Sequence, residues 1–166
     1  MQNTNAGPGN FIQKSLQYLI PGYSGYLSAS EAADTDSKIR AHIVSSIGEM
    51  TARLDLKKRA YTSSLNTIAF LAALDKIAAS LAAAVETINY CSGASASFNF
   101  SSYDSARCEK LKTFDEFLYY SLQDIKSIIN EIEKTSSLSE YENIAARAAE
   151  WSEKYIRQIK SRKDIL

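Results

Sequence analysis

The chain has 166 residues, 45% of them hydrophobic and 23% charged, values that suit an ordinary globular domain and point to neither a disordered chain nor a disulfide-built scaffold. Its 19 Lys and Arg balance its 19 Asp and Glu, which removes the global positive field that nucleic-acid binders use to gather phosphates, so no nucleic-acid partner is expected. The first ten residues lack a basic stretch followed by an apolar one, and no later stretch reaches the roughly 20 uncharged apolar residues of a bilayer span, so a cytoplasmic protein with no transmembrane segment is expected.

Residues 1–10, rich in Asn and Gly, read as a flexible leader ahead of a single domain at 11–166. Phe11, Ile12, Leu16, Leu19 and Ile20 recur at helical spacing and predict a short amphipathic helix that Pro21-Gly22 stops. The link Pro21-Gly22-Tyr23-Ser24-Gly25-Tyr26 has two glycines to supply unusual backbone angles, and its Tyr23 and Tyr26 are candidates for an interaction surface. Ser28 with Glu31 has the spacing of a capping box and opens a helix that should run to about Ala60. Its buried stripe is Ile39, Ile43, Ile47, Met50 and Leu54, with Arg40, Glu49 and Asp55 outside it.

Tyr61-Thr62-Ser63-Ser64 weakens helix propensity and marks a break. The next helix, to about Tyr90, buries Leu74, Ile77, Leu81, Val85 and Ile88 and is dense in alanine. Between Leu65 and Tyr90 only Asp75, Lys76 and Glu86 are charged, an apolar sector wider than one bundle core requires, and this face predicts a homodimer. Residues 92–105 then read as a Ser/Gly/Ala-rich connection carrying Phe98, Phe100 and Tyr103, further candidates for an interaction surface.

A third helix presents Leu111, Phe114, Phe117, Leu118, Leu122, Ile125, Ile128, Ile129 and Ile132 on one face, leaving Asp115, Glu116, Lys126, Glu131 and Glu133 off it. Ser137 with Glu140 forms another capping box. The last helix buries Tyr141, Ile144, Ala148, Trp151, Tyr155 and Ile159, keeps Arg147, Lys154, Arg157 and Lys160 outside, and runs into a charged tail. The fold class is therefore all-α, an antiparallel four-helix bundle with a short N-terminal helix. If the first two long helices continue through Ser63, the alternative is a three-helix coiled-coil bundle.

Leu19-Ile20-Pro21-Gly22-Tyr23-Ser24-Gly25-Tyr26, followed by a long helix with Asp36 and Arg40 and later by Phe114-Asp115, resembles a group of uncharacterised bacterial helical proteins with a Pro-Gly-Tyr-x-Gly-Tyr motif after a short N-terminal helix. The resemblance spans Leu16 to Leu122. It implies a helical bundle and no activity, and it transfers no functional residue.

Candidate chemistry is sparse. His42 is the single histidine and sits at the edge of the first stripe, so the Glu-x-x-His pairs of a carboxylate-bridged metal bundle cannot form. Asp34 and Asp36 lack the further ligands and glycine of a calcium loop. No phosphate-cradling glycine motif occurs, and Gly22-Tyr23-Ser24-Gly25 has the wrong spacing for a nucleophile elbow. No catalytic, cofactor-binding or metal-ligating residue is assigned. Cys91 and Cys108 flank the 92–105 connection at the ends of consecutive helices and are candidates for a redox pair. The expected function is a non-enzymatic scaffold that binds a protein partner or itself. The alternative is a module for a small molecule or, weakly, a membrane surface, using the 92–105 loop or the N-terminal helix.

Overall fold

The computed structural model describes residues 16–26, 28–61, 67–96 and 104–165. A helical turn at 16–19, α1, precedes four long helices: α2 (Ala29–Tyr61), α3 (Ile68–Ala96), α4 (Ser105–Glu131) and α5 (Leu138–Lys163). No strand occurs among the described residues. The protein is an all-α helical bundle.

The stripes of α2 and α5 are buried as their spacing requires, from Ile39 to Leu54 and from Tyr141 to Ile159. In α3, Leu74, Ile77, Leu81 and Ile88 are buried while Val85 is half-buried. The stripe of α4 is narrower than its sequence suggests: Phe114 and Ile128 are half-buried and Phe117 is 43% exposed. Two of the N-terminal apolar positions, Leu16 and Ile20, join the main core, and Leu19 faces solvent. The remaining ones, Phe11 and Ile12, lie outside the described residues, as do the leader and the break at 62–66.

Helix ends follow local chemistry. The Ser137 hydroxyl accepts from the Glu140 amide while the Glu140 carboxylate accepts from the Ser137 amide, a complete capping box on α5. On α4 the cap is Asp104, whose carboxylate accepts from the Ala106 and Arg107 amides at 2.9 and 3.4 Å. One boundary differs from expectation. α3 continues to Ala96, beyond Tyr90, so residues 92–96 of the expected connection are helical. Only Gly93 interrupts that stretch, and serine and alanine are compatible with helix, so nothing in it forces an earlier stop.

Cross-helix contacts fix the directions. Lys58 at the end of α2 pairs with Asp75 near the start of α3 at 2.7 Å, so these helices are antiparallel. Arg147 near the start of α5 pairs with Glu131 at the end of α4 at 2.6 Å, and these are antiparallel too. Direction thus alternates along the chain, but the two hairpins lie side by side so that α3 borders α5 and α2 borders α4. Both of these neighbours are parallel: Phe70 meets Tyr141 and Ser80 meets Ser152, while Tyr23 beside α2 meets Asp115 and Arg53 meets Asn130. Consecutive α3 and α4 therefore stand on a diagonal of the bundle and do not pack along each other. The α3–α5 seam is the most extensive because its buried positions include Ala73, Ala84, Ala145 and Ala148. Small side chains let the backbones approach until the Ser152 hydroxyl donates to the Ser80 carbonyl at 2.8 Å.

Candidate functional site

The motif Pro21–Tyr26 builds an internal polar cluster. Ile20 O accepts from Tyr23 N at 3.0 Å around Pro21 and Gly22, with Gly22 at φ 80°, the residue order of a type II turn. A Cβ on Gly22 would also come within 3.1 Å of the Lys38 side chain. Gly25 at φ 76° and Tyr26 at φ 60° then swing the chain so that both tyrosine rings turn inward and meet edge-on at 6.3 Å. Tyr26 is a non-glycine residue in the left-handed region, a conformation that needs compensation elsewhere. The compensation is burial and hydrogen bonding of its side chain.

The correspondents of the tyrosines are charged. Tyr23 Oη donates to Asp115 Oδ2 on α4 at 3.2 Å, and Tyr26 Oη accepts from Arg162 Nη2 on α5 at 2.6 Å. Arg162 Nε donates to Asp115 Oδ1 at 2.9 Å, and Nη1 forms an ion pair with Asp36 of α2. The other Asp36 oxygen takes Arg40, one turn along the same helix. One guanidinium therefore ties α5 to α4, to α2 and to the N-terminal link, using a different nitrogen for each. Beside it Ser24 and Thr35 share a hydroxyl–hydroxyl bond of 2.5 Å.

Asp36, Asp115 and Tyr26 are 0% exposed, Tyr23 4% and Arg162 5%. Burial pushes the Asp115 carboxyl up against the opposing pull of Arg162, and it raises both tyrosine hydroxyls. Arg162 is held firmly charged: burial opposes the cation, but Asp115, Tyr26 and Asp36 outweigh it. Two carboxylates and two guanidiniums balance, so the cluster is internally neutralised. The adjoining cavity, lined in part by Arg40, Arg162 and Cys91, measures about 20 Å³. That is space for one water and no substrate.

Several sequence expectations change here. Tyr23 and Tyr26 are core residues and not a contact surface. Asp115 does not point outward; it sits between the apolar positions Leu111 and Leu118 and takes the buried end of their face. Arg40 is half-buried and paired, and Arg162, read as part of a charged tail, lies inside. The other surface candidates, Phe98, Phe100 and Tyr103, lie outside the described residues. Cys91 and Cys108 are both buried and form no disulfide with each other, and they lie in separate clusters: Cys91 in the main core, and Cys108 with Tyr26, Ala32 and Leu111. The diagonal placement of α3 and α4 accounts for that separation. His42 is half-buried, stacks on Tyr119 at 5.7 Å, and is lowered in pKa chiefly by burial. Among the described residues no group of three His, Cys, Asp or Glu side chains is gathered as metal ligands would be.

A second feature lies on the outside. Between α3 and α5 runs a groove of about 600 Å³ lined by Ala69, Ala72, Ala73, Ala79, Ala145, Ala146 and Ala149, with Lys76 and Glu142 as its charged members. Ala69, Ala72, Ala79, Ala146 and Ala149 are exposed. The stretch Ile68–Cys91 of α3 is long and apolar enough to cross a membrane, with a mean hydropathy of 1.9 in its most apolar window, and 28% of that window is buried. Ile68 and Tyr90 on the same helix are 77% and 76% exposed.

No family model, curated protein or solved structure matches the chain.

Proposed function

We propose that the protein is a non-enzymatic helical scaffold that binds a protein partner through the α3–α5 face. The observation that carries this reading is the outer side of α3, where Ile68, Ala69, Ala72, Ala79 and Ala82 are exposed within a stretch apolar enough to cross a membrane. An apolar face of that extent on a folded domain is characteristic of an interaction surface. The alanine lining suits a helix as occupant, because methyl side chains allow a second backbone to approach closely. The titratable side chains that the fold gathers are by contrast buried, mutually paired and closed to any substrate, so they serve stability. In this reading Pro21–Tyr26 is a structural clasp.

A photo-activatable cross-linking residue at Ala72 or Ala146 tests the proposal in cells that make the protein. The expected result is a discrete adduct from both positions and none from Gln123, which lies exposed on α4. Absence of adducts from both groove positions rejects it.

A second reading has one observation in its favour. The same hydropathy of α3 suits weak attachment to a lipid surface. Co-sedimentation with vesicles of neutral and anionic phospholipid, abolished by Ala72→Arg, is the result that would favour lipid over protein.

A further inference from the structure

The α2–α4 seam is the least extensive of the four between neighbouring helices, and its two ends are filled differently. Toward the clasp, His42 stacks on Tyr119, and Gly22 and Tyr23 lie against Lys38 and Asp115. At the other end the α2 side of the seam offers Arg53, Lys57 and Ala60. Arg53 is drawn off to Asn130 at 2.7 Å and to Glu133, and the Ala60 methyl is too short to fill the space it leaves. The result is a pocket of about 270 Å³. Its floor is Leu54, Ile129 and Ile132, all buried, and Leu56, 64% exposed, stands at its edge.

The charge around this pocket does not balance within the chain. Of its three charged lining residues, Arg53 and Glu133 pair with each other. Lys57 is half-buried with its ammonium 5.9 Å from the centre of the Tyr61 ring, and among the described residues it meets no carboxylate. One net positive charge beside apolar walls selects a ligand with one negative charge and a hydrocarbon body: the walls supply contact area, and a single placed charge fixes the orientation. A lysine ammonium is a compact charge on a flexible stem, so it can follow a carboxylate at the mouth of the pocket. A small inorganic anion would gain nothing from Leu54, Ile129 and Ile132. Taking each carbon to fill about the 30 Å³ share of one liquid water, the pocket holds a chain of about nine carbons.

We propose that the α2–α4 pocket binds a medium-chain fatty acid, with its chain on Leu54, Ile129 and Ile132 and its carboxylate on Lys57. The site lies on a different seam from the α3–α5 face and does not depend on the partner-binding reading.

Equilibrium dialysis of the full chain against radiolabelled decanoate, kept below its micelle concentration, tests the proposal. One equivalent is expected to bind, and decanol, the same chain without the charge, should bind more weakly. Lys57→Gln should weaken decanoate about tenfold, the loss of one charge-assisted contact, and leave decanol unchanged. Ala60→Phe extends a ring from an exposed position into the pocket and should abolish binding of both. Ala72→Arg, in the α3–α5 groove, should change neither. Circular dichroism of every variant verifies that the bundle is intact. No binding of decanoate to the wild type overturns the proposal, as does binding that Ala60→Phe leaves unchanged or that Ala72→Arg removes. Decanoate and decanol bound equally well, with Lys57→Gln without effect on either, would overturn the choice of an anionic ligand and with it the proposal.

Discussion

The clasp end of the bundle and the α3–α5 face invert the usual placement of side chains. At the clasp, Asp36, Asp115 and Arg162 are buried among apolar residues. On the face, five alanines of the groove and Ile68 are in solvent. The first arrangement is self-sufficient, because each charge meets an opposite charge inside the chain. The second is not, because exposed methyl groups gain nothing until something covers them. The contrast separates polarity that the fold encloses from apolarity that it leaves exposed: the buried charges are matched by opposite charges inside the chain, and the exposed methyl groups are what the proposed partner-binding surface would use.

Breaking the clasp should have the largest effect. Arg162→Met leaves Asp115 without its cation and Asp36 with only the half-buried Arg40, and it should cost about 3–5 kcal/mol in urea unfolding. Adding Asp115→Leu should recover much of that loss, since removal of both charges leaves less uncompensated burial. Recovery of nothing would mean that the cluster also specifies the packing. Tyr23→Phe and Tyr26→Phe each strip one partner from a buried ion and should cost about 1–3 kcal/mol. Tyr155→Phe sharpens the point. The Tyr155 hydroxyl is equally buried and has no hydrogen-bond partner among the described residues, and its ring keeps its stack on Trp151 at 4.6 Å. Its loss should be neutral within about 0.5 kcal/mol or stabilising.

On the exposed face the same assay should register almost nothing. Ala72→Arg places a charge where the single chain already meets water, and the unfolding free energy measured at a concentration too low for association should move by less than about 0.5 kcal/mol. A loss of several kcal/mol would show that Ala72 is packed within one chain and would remove the basis for a surface role.

The apolar part of this architecture was legible in the sequence because helical periodicity reports burial directly. Ile39 to Leu54 and Tyr141 to Ile159 needed no other information. The polar part was not legible, because periodicity counts a charge as an outward signal. Asp115 follows Phe114 and precedes Glu116, and nothing local marks it as the member of that acidic pair that turns inward. Its cation comes from Arg162, 47 residues later, and its tyrosine from 92 residues earlier. The available signal was the motif itself: two tyrosines held by two glycines imply a specific backbone path, and such a path needs partners. The order of helices around the bundle was hidden for a different reason. Four amphipathic stripes specify that the helices pack, whereas the neighbour of each is chosen by side-chain size along a seam, as the alanines of α3 and α5 show.

His42, on the side of α2 that faces α4, belongs to neither region, and it offers the smallest and most delicate test. Its ring rests on Tyr119, with Glu49 on its own helix raising its pKa and Lys126 of α4 lowering it, while burial dominates and lowers it. In the unfolded chain the imidazole returns to about 6.5. As pH falls past that value the unfolded state takes up the proton first, so the folded state loses stability until the lowered folded value is passed as well. Above about pH 6.5 the effect is absent. Because the ring is half-buried and screened, the loss should stay below about 1 kcal/mol. Asp115 works in the opposite direction: its raised carboxyl favours the folded state as acid is added. The two are separated by difference, since His42→Phe keeps a ring against Tyr119 and leaves Asp115 in place. Urea unfolding of wild type and His42→Phe at one pH unit above and one below 6.5 should show the variant losing less stability on acidification. Equal losses would mean that Glu49 balances burial and that the α2–α4 seam is wetter than its packing implies.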